Sequence, residues 1–364
     1  MEPYIPEMLP LKGIIDCERL LTFVARANMM LGRYDGLLCG IVNPTIMLSP
    51  LMNEEAVLSS RIEGTQATVD EVLEHEAGLV SPKSNHEDIK EIINYRKALL
   101  SAQKHLEDKP VSMYLIREMH RILLDSVRGQ NKSPGEVRNE QNWIGPAGCS
   151  MENASFIPPD PMQLSGFLEN WEQYARANEK DAIIQAGVLH AQFEMLHPFK
   201  DGNGRLGRIL IPLFLYQKKV ISRPMFYLSS YLEGHRDEYY LRLRNISSNK
   251  EWNEWLEFFL NAVTEQAVAN VRKAGQIMAL YEEMKGRIQS ITHSRFTVAV
   301  LDSLFWSPVF NVIEFAKNAN VPRATVTTII RKLKKHDIVK ELKTGKGRSP
   351  SVYCFHSLLD IVKK

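Results

Sequence analysis

The stretch Leu196–Leu210, LHPFKDGNGRLGRIL, places His197, Asp201, three glycines, Asn203, Arg205 and Arg208 between apolar runs. An ordinary turn needs one or two glycines and no such charge. Pro198 should end the preceding helix, which leaves His197 at its tip. Gly202-Asn203-Gly204 can take left-handed backbone angles. Successive N–H groups then form an anion-binding nest that leads into the start of the next helix, where anions are favoured. Arg205 and Arg208 in that helix's first turns oppose its dipole, by about 0.3–1 kcal/mol each. The arrangement makes sense if a polyphosphate neutralises both. Asp201 adds a hard oxygen ligand of the kind that holds Mg²⁺ beside phosphates. His197, with an ordinary pKa of about 6.5, is suited to take a proton from a hydroxyl. The chemistry is transfer of a phosphoryl or nucleotidyl group to a hydroxyl, and the residues alone do not say which phosphorus is attacked.

Two other readings of the same stretch are weaker. Gly202 to Gly207 also spells G-x-G-x-x-G, but a dinucleotide site needs a preceding strand. Here Val188, Leu189, Phe193 and Leu196 have helical spacing, and no acidic residue follows about 20 positions on. His190 and Glu194, or His197 and Asp201, could be paired as metal ligands. Neither spacing is a recognised zinc pattern, and zinc would not need the two arginines. His190 is read as a packed helix histidine.

HPFKDGNGRLGR matches every fixed position of the Fic family motif, H-P-F-x-[D/E]-G-N-G-R-x-x-R, and QNWIG and ASFIPP look like that family's flap. The resemblance spans roughly Ser112 to Leu260. It implies an all-α core with a small β-hairpin flap, ATP as donor, and transfer of AMP to a Ser, Thr or Tyr hydroxyl of a protein, including the chain itself. His197 would be the base and Asp201 would hold Mg²⁺. Gly202, Asn203, Gly204, Arg205 and Arg208 would bind the phosphates, and Phe199 would anchor the loop. Tyr239 and Tyr240 match a pair that flanks adenine in relatives, whereas Ser247 stands where they often have Asn. Upstream, SSRIEG matches the family's inhibitory motif [S/T]-x-x-x-E-[G/N] with Ser59, Glu63 and Gly64. The resemblance implies that Glu63 reaches Arg208 and takes the terminal phosphate's place.

The elements that must position these residues are mostly helices. The sequence predicts helices at Ile14–Leu31 with a stop at Gly32, at Asn53–Gly64 with Asn53 as cap, at His86–Leu106 and at Met113–Leu124. Thr68 and Glu71 are spaced as a capping box opening another. Gly129–Asp160 reads as loop or hairpin. Helices return at Met162–Ala177, Asp181–Leu196, Arg205–Lys218, Arg236–Ile246 and Trp252–Gln289. In the last block, Phe296–Leu304, Val309–Asn318 and Pro322–His336 read as helices. A strand–turn–strand over DIVKELKTGKGRSPSVYCF follows, which makes a winged helix-turn-helix (α+β) pattern. The domain reading is 1–110 (N-terminal helical region with the inhibitory helix), 111–262 (Fic domain), 263–290 (connecting helix) and 291–364 (winged helix).

The chain's net charge of +2 predicts no partner for the whole. From Val321 on, however, lysines and arginines far outnumber Asp337, Glu341 and Asp360. Arg323, Thr325, Thr327, Thr328 and Arg331 on the third helix, with KTGKGRSP (Lys346 and Arg348 among it) as a basic wing, offer DNA contacts. A nucleotide-sensing DNA-binding regulator is therefore the alternative function. The other partners expected are a target protein paired with the flap, and a second copy of the chain as a homodimer. Cys17, Cys39, Cys149 and Cys354 form no CxxC pair. The first residues lack a signal-peptide pattern, and no apolar run is long enough for a membrane span. A cytoplasmic protein is expected.

Overall fold

The computed structural model of the protein describes residues 2–79, 86–127, 129–146, 148–345 and 350–363. Its helices in chain order are α1 (Cys17–Cys39), α2 (Pro44–Met47), α3 (Ser49–Ile62), α4 (Val69–Glu76), α5 (His86–His105), α6 (Met113–Leu123), α7 (Pro161–Arg176), α8 (Ala182–Leu196), α9 (Asn203–Gln217), α10 (Ser229–Gly234), α11 (Arg236–Asn249) and α12 (Trp252–Thr292). After these come α13 (Thr297–Trp306), β1 (Val309–Asn311), α14 (Val312–Asn318), α15 (Arg323–Lys335), β2 (Lys340–Lys343), β3 (Val352–Cys354) and α16 (His356–Val362).

Two predicted helix ends move. The first helix does not stop at Gly32, because α1 runs on to Cys39 and ends before Gly40. A glycine inside a helix costs about 1 kcal/mol. Burial of Tyr34 and Leu38 beyond it, with the Tyr34 hydroxyl donating to the Met225 carbonyl at 2.8 Å, offsets that cost. The helix carrying Glu63 starts at Ser49, before Asn53. Asn53 is buried inside it, where its Oδ1 accepts from Arg96 at 2.5 Å. By contrast, the Thr68–Glu71 capping box is present with both of its bonds.

The site rests on α8, α9 and α12. α8 is apolar nearly all round and sits in the core. Gly187 makes room for α12, since a Cβ there would lie 2.8 Å from the Phe259 ring. The Trp255 indole donates to the Gly187 carbonyl at 3.0 Å. α12 runs unbroken for 41 residues, so the helical core and the C-terminal block share one helix. The segment 129–160 is less regular than a hairpin. Among its described residues there is one antiparallel bridge, Ile144 with Phe156, and no ladder.

In the C-terminal block Val309–Asn311 is a strand, not part of a helix. Val309 and Phe310 pair with Cys354 and Tyr353, and the sheet order is β1-β3-β2. The Asn311 side chain then caps α14. α16 was not foreseen; it buries Leu358, Leu359 and Val362. The block packs on the segment that carries Glu63. Lys273 bridges Glu54 at 2.6 Å and the Val362 carbonyl at 2.9 Å, and Asn311 donates to the Ala77 carbonyl at 3.1 Å. Lys346, Arg348 and Lys364 lie outside the described residues. Among the described residues no helix is long and apolar enough to cross a membrane.

Candidate active site

α8 ends at His197, which takes the left-handed conformation (φ 46°, ψ 60°) as its C-cap. Few residues other than glycine do so without other contacts to hold them there. The His197 carbonyl accepts from Arg138 Nε at 2.9 Å. The same buried guanidinium donates to the Glu140, Pro159 and Leu196 carbonyls, which ties both ends of the 129–160 segment to the motif loop. With Nδ1–H donating to the Glu194 carbonyl at 3.3 Å, His197 keeps Nε2 for the cleft. Burial pushes its pKa down to about 4, so the ring is neutral at pH 7.

The loop is held by its own side chains. Asn203 Oδ1 accepts from the Phe199 N–H at 2.9 Å and its Nδ2 donates to the Phe199 carbonyl at 2.8 Å. Phe199 is fully buried and stacks on His120, with ring centroids 4.0 Å apart. His120 in turn accepts from the Gly135 N–H at Nδ1 and meets the Asp201 carbonyl through Nε2 at 3.0 Å. Of the three residues expected to be left-handed, only Gly202 is (φ 77°). Gly204 is already helical. It has to be small because a Cβ there would lie 2.2 Å from Glu63 Oε1.

A cleft of about 390 Å³ opens beside His197. Its walls include His197, Glu194, Gly204, Arg208 and Glu63, then Ile144, Gly145, Ser155 and Phe156 from the flap segment, and Arg236, Tyr240, Leu243, Arg244 and Ser247 from α11. Arg208 is buried, with its guanidinium turned to α3. Its Nε donates to Ser59 Oγ at 2.8 Å, and its Nη2 donates to the Ser59 carbonyl at 2.8 Å and to Glu63 Oε1 at 2.7 Å. Burial alone would raise the Glu63 carboxyl. The charge and hydrogen bond of Arg208 outweigh it and hold Glu63 below the ordinary carboxylate range. Glu63 is the C-cap of α3, and Gly64 (φ 101°) turns the chain away.

Several expected site residues stand off the cleft walls. Arg205 is 4% exposed; it pairs with Glu91 of α5 at 2.9 Å and reaches Asp201 at 3.5 Å. The Asn203 side chain is spent on Phe199 and locks the loop. Tyr239 is 1% exposed, and its hydroxyl is 2.9 Å from His190 Nε2, so Tyr240 alone of the pair lines the cleft. His190 is the packed histidine expected, its Nδ1 lying 3.1 Å from the Gly207 carbonyl. Asp201 and Gly202 lie beside the cleft, and Asp201 Oδ1 accepts from the Gly202 N–H at 2.6 Å. No three described metal-ligating side chains cluster. Asp201 alone would fit a Mg²⁺ that takes its remaining ligands from phosphate and water. Sequence reasoning missed Arg138, Glu91 and the cleft-lining role of Glu194, Arg236 and Arg244. Only the spacing of Arg236, Tyr240 and Arg244 on one helix face could have signalled the last two.

The fold is that of Fic proteins. A Fic family protein from Desulfovibrio desulfuricans matches 98% of both chains with a TM-score of 0.59 at 17% identity. A Fic-domain protein from Bacteroides thetaiotaomicron matches 69% of this chain and 96% of its own with a TM-score of 0.55 at 18% identity. Residues 21–104 match the Fic/DOC family N-terminal model and residues 110–215 the Fic/DOC family model, so the chain carries both Fic/DOC family domains. Among curated relatives, a probable protein adenylyltransferase from Aquifex aeolicus is 23% identical over 194 residues, 52% of this chain and 56% of that protein. The protein adenylyltransferase fic-1 of Caenorhabditis briggsae is 28% identical over 149 residues, 38% of this chain and 27% of its own. The chain thus spans about half or less of these relatives' length.

Proposed function

We propose that the protein is a protein adenylyltransferase that moves AMP from ATP to a Ser, Thr or Tyr hydroxyl of proteins, itself included, and that Glu63 restrains it. The observation that carries this is the pairing of buried Arg208 with the partly exposed Glu63 at one end of a cleft whose wall also carries a neutral His197. His197 Nε2 takes the proton of the hydroxyl as that oxygen bonds to the α-phosphorus, and the bond to the leaving pyrophosphate breaks. Gly202, Gly204 and the α9 N-terminus receive the phosphates, and Arg208 takes the terminal one. Asp201 would hold Mg²⁺, which would offset phosphate charge when bound. Arg205 acts from behind, holding Asp201 and α5. The relatives' names and the motif together support ATP as donor. Glu63 accepts the Arg208 Nη2 donor that the terminal phosphate would use, so ATP that binds beside it is misplaced, and misplacement is costly in a transfer that depends on orientation.

The test is labelling of the protein and of lysate proteins by α-labelled ATP with Mg²⁺. Wild type, Glu63→Gly and Glu63→Gly/His197→Ala should label weakly, strongly and not at all. Release of Glu63 should raise the rate on the order of 10–10²-fold, since Arg208 is buried but the Glu63 side chain is 36% exposed and solvent weakens the pair. Loss of the base should cost on the order of 10²–10⁴-fold. Equal labelling of the first two removes the restraint, and labelling of the third removes His197 from its role.

A second reading is added to the first by the C-terminal block, whose helices and three-stranded sheet we read as a winged helix. α15 buries Val326, Ile329, Ile330 and Leu333 and turns Arg323, Thr327, Thr328 and Arg331 to solvent. That face suits a duplex. Binding of random duplex DNA that does not weaken as salt rises, or no binding at low salt, would count against it.

A further inference from the structure

α9 has no side chain at Gly204, which lines the cleft, or at Gly207 one turn on, and each gap holds a carboxyl. A Cβ on Gly204 would stand 2.2 Å from Glu63 Oε1, and a Cβ on Gly207 would stand 2.2 Å from Glu194 Oε1. Positions three apart on a helix lie about 5–6 Å from each other, so the two acids are neighbours beside Arg208. They are not treated alike. Arg208 bonds Glu63. Glu194 lines the same cleft, yet its Oε1 is buried and has no hydrogen-bond partner among the described residues. A buried polar oxygen left unmatched in a ligand cleft is an unfinished contact.

The charges around Glu194 determine what that contact can be. Facing it are Arg208 on α9, Glu63 at the end of α3, Tyr239 and Tyr240 on α11, and His190 and His197 on its own helix. Two carboxyls beside one guanidinium do not both ionise readily. Glu63 holds the charge. Burial pushes Glu194 up to about 8; Arg208 works against this and the Glu63 charge adds to it. At neutral pH Glu194 is therefore an O–H donor next to whichever anion sits on Arg208.

We propose that Glu194 is a nucleotide-binding residue that donates a hydrogen bond to the terminal phosphate once that phosphate has replaced Glu63 on Arg208. The inference rests on the ATP reading above. A plain carboxylate there would repel the phosphate; a carboxylic acid, or an amide, would bind it. The same side chain completes the site without adding charge, which suits a pocket that already holds one displaced carboxylate.

The test is equilibrium binding of ATP and of ADP without turnover, in the full chain carrying Glu63→Gly and His197→Ala. To this parent, Glu194→Ala or Glu194→Gln is added. At pH 7 the Ala form should bind ATP on the order of tenfold more weakly, the effect of one hydrogen bond to a charged group. The Gln form, which keeps a neutral donor, should recover most of that loss. ADP, which lacks the terminal phosphate, should bind all three alike. The parent lacks the Glu63 charge that helps hold the Glu194 proton, but the bound terminal phosphate puts negative charge in the same place; raising the pH from 7 to 9 should therefore weaken ATP binding by the parent and leave the Gln form unchanged. Equal ATP binding by the three forms, or an ADP loss as large as the ATP loss, overturns the role of Glu194 and leaves the ATP reading standing. A parent that binds no ATP overturns both. Should the Ala form not fold, the pH response of parent against Gln form decides.

Discussion

The motif loop from His197 to Arg208 and the flap segment at 129–160 line the same cleft and are held in opposite ways. In the loop nearly every polar side chain is spent internally: Asn203 on Phe199, Arg205 on Glu91 and Asp201, Arg208 on Ser59 and Glu63. In the flap segment one bridge joins Ile144 and Phe156, and Arg138, Glu140 and Asn142 tie its ends to the loop through His197, Lys200 and Phe199. A group that must sit within a fraction of an ångström of a reacting atom is built on closed contacts. A segment that must receive many extended sequences keeps main-chain groups available for pairing. The contrast accords with the proposal that the loop does the chemistry and the flap captures the target.

That division can be broken most strongly at the flap. Phe156→Pro removes the N–H that donates to the Ile144 carbonyl at 3.1 Å. If the flap only presents the target, labelling of proteins in the Glu63→Gly background should fall on the order of 10²-fold, as for a misplaced reactant, with ATP affinity unchanged. A parallel fall in ATP affinity would make the segment part of the nucleotide site. A smaller effect is expected in the loop. Asn203→Ala leaves the buried Phe199 N–H without its partner, at about 1–3 kcal/mol, while Asn142 Nδ2 still donates to the Phe199 carbonyl at 3.2 Å. The melting temperature should drop even without nucleotide, whereas Phe156→Pro should scarcely move it. If the two variants lose the same stability, the contrast between a closed loop and an open flap is lost.

The smallest expected effect is an absence. An ordinary histidine base would lose on the order of tenfold in its neutral fraction between pH 7.5 and 5.5. His197, depressed to about 4 by burial, gains its proton only as pH falls toward that value. The Glu63 charge raises it slightly, so removing Glu63 keeps it depressed. Labelling by the Glu63→Gly form, measured as single-turnover rate, should stay flat over this range. A drop centred near 6.5 would show that the ring is solvated like a free imidazole.

The local features were legible in the sequence because each depends on residues a few positions apart. Pro198 after His197, Gly202 at the helix start, the Thr68–Glu71 box and Gly64 after Glu63 all concern backbone within one turn, where sterics and capping decide. The motif likewise carries the expectation of a base beside a phosphate cradle. What it could not show was which of two nearly equivalent arginines serves the cleft. Arg205 and Arg208 lie three apart on one helix, and the choice was made by Glu91 on α5 and by Ser59 and Glu63 on α3, all more than a hundred residues away in the chain. The same holds for Tyr239, drawn inward by His190, and for Glu194, read at first only as a rejected metal ligand. Val309–Asn311 became a strand because β3 lay beside it to complete its hydrogen bonds. The sequence determined the loop and its caps, since short-range geometry suffices for these. Only the packed structure decided the partner of each charge, because burial and long-range pairing set whether a side chain is spent on the fold or left facing the cleft.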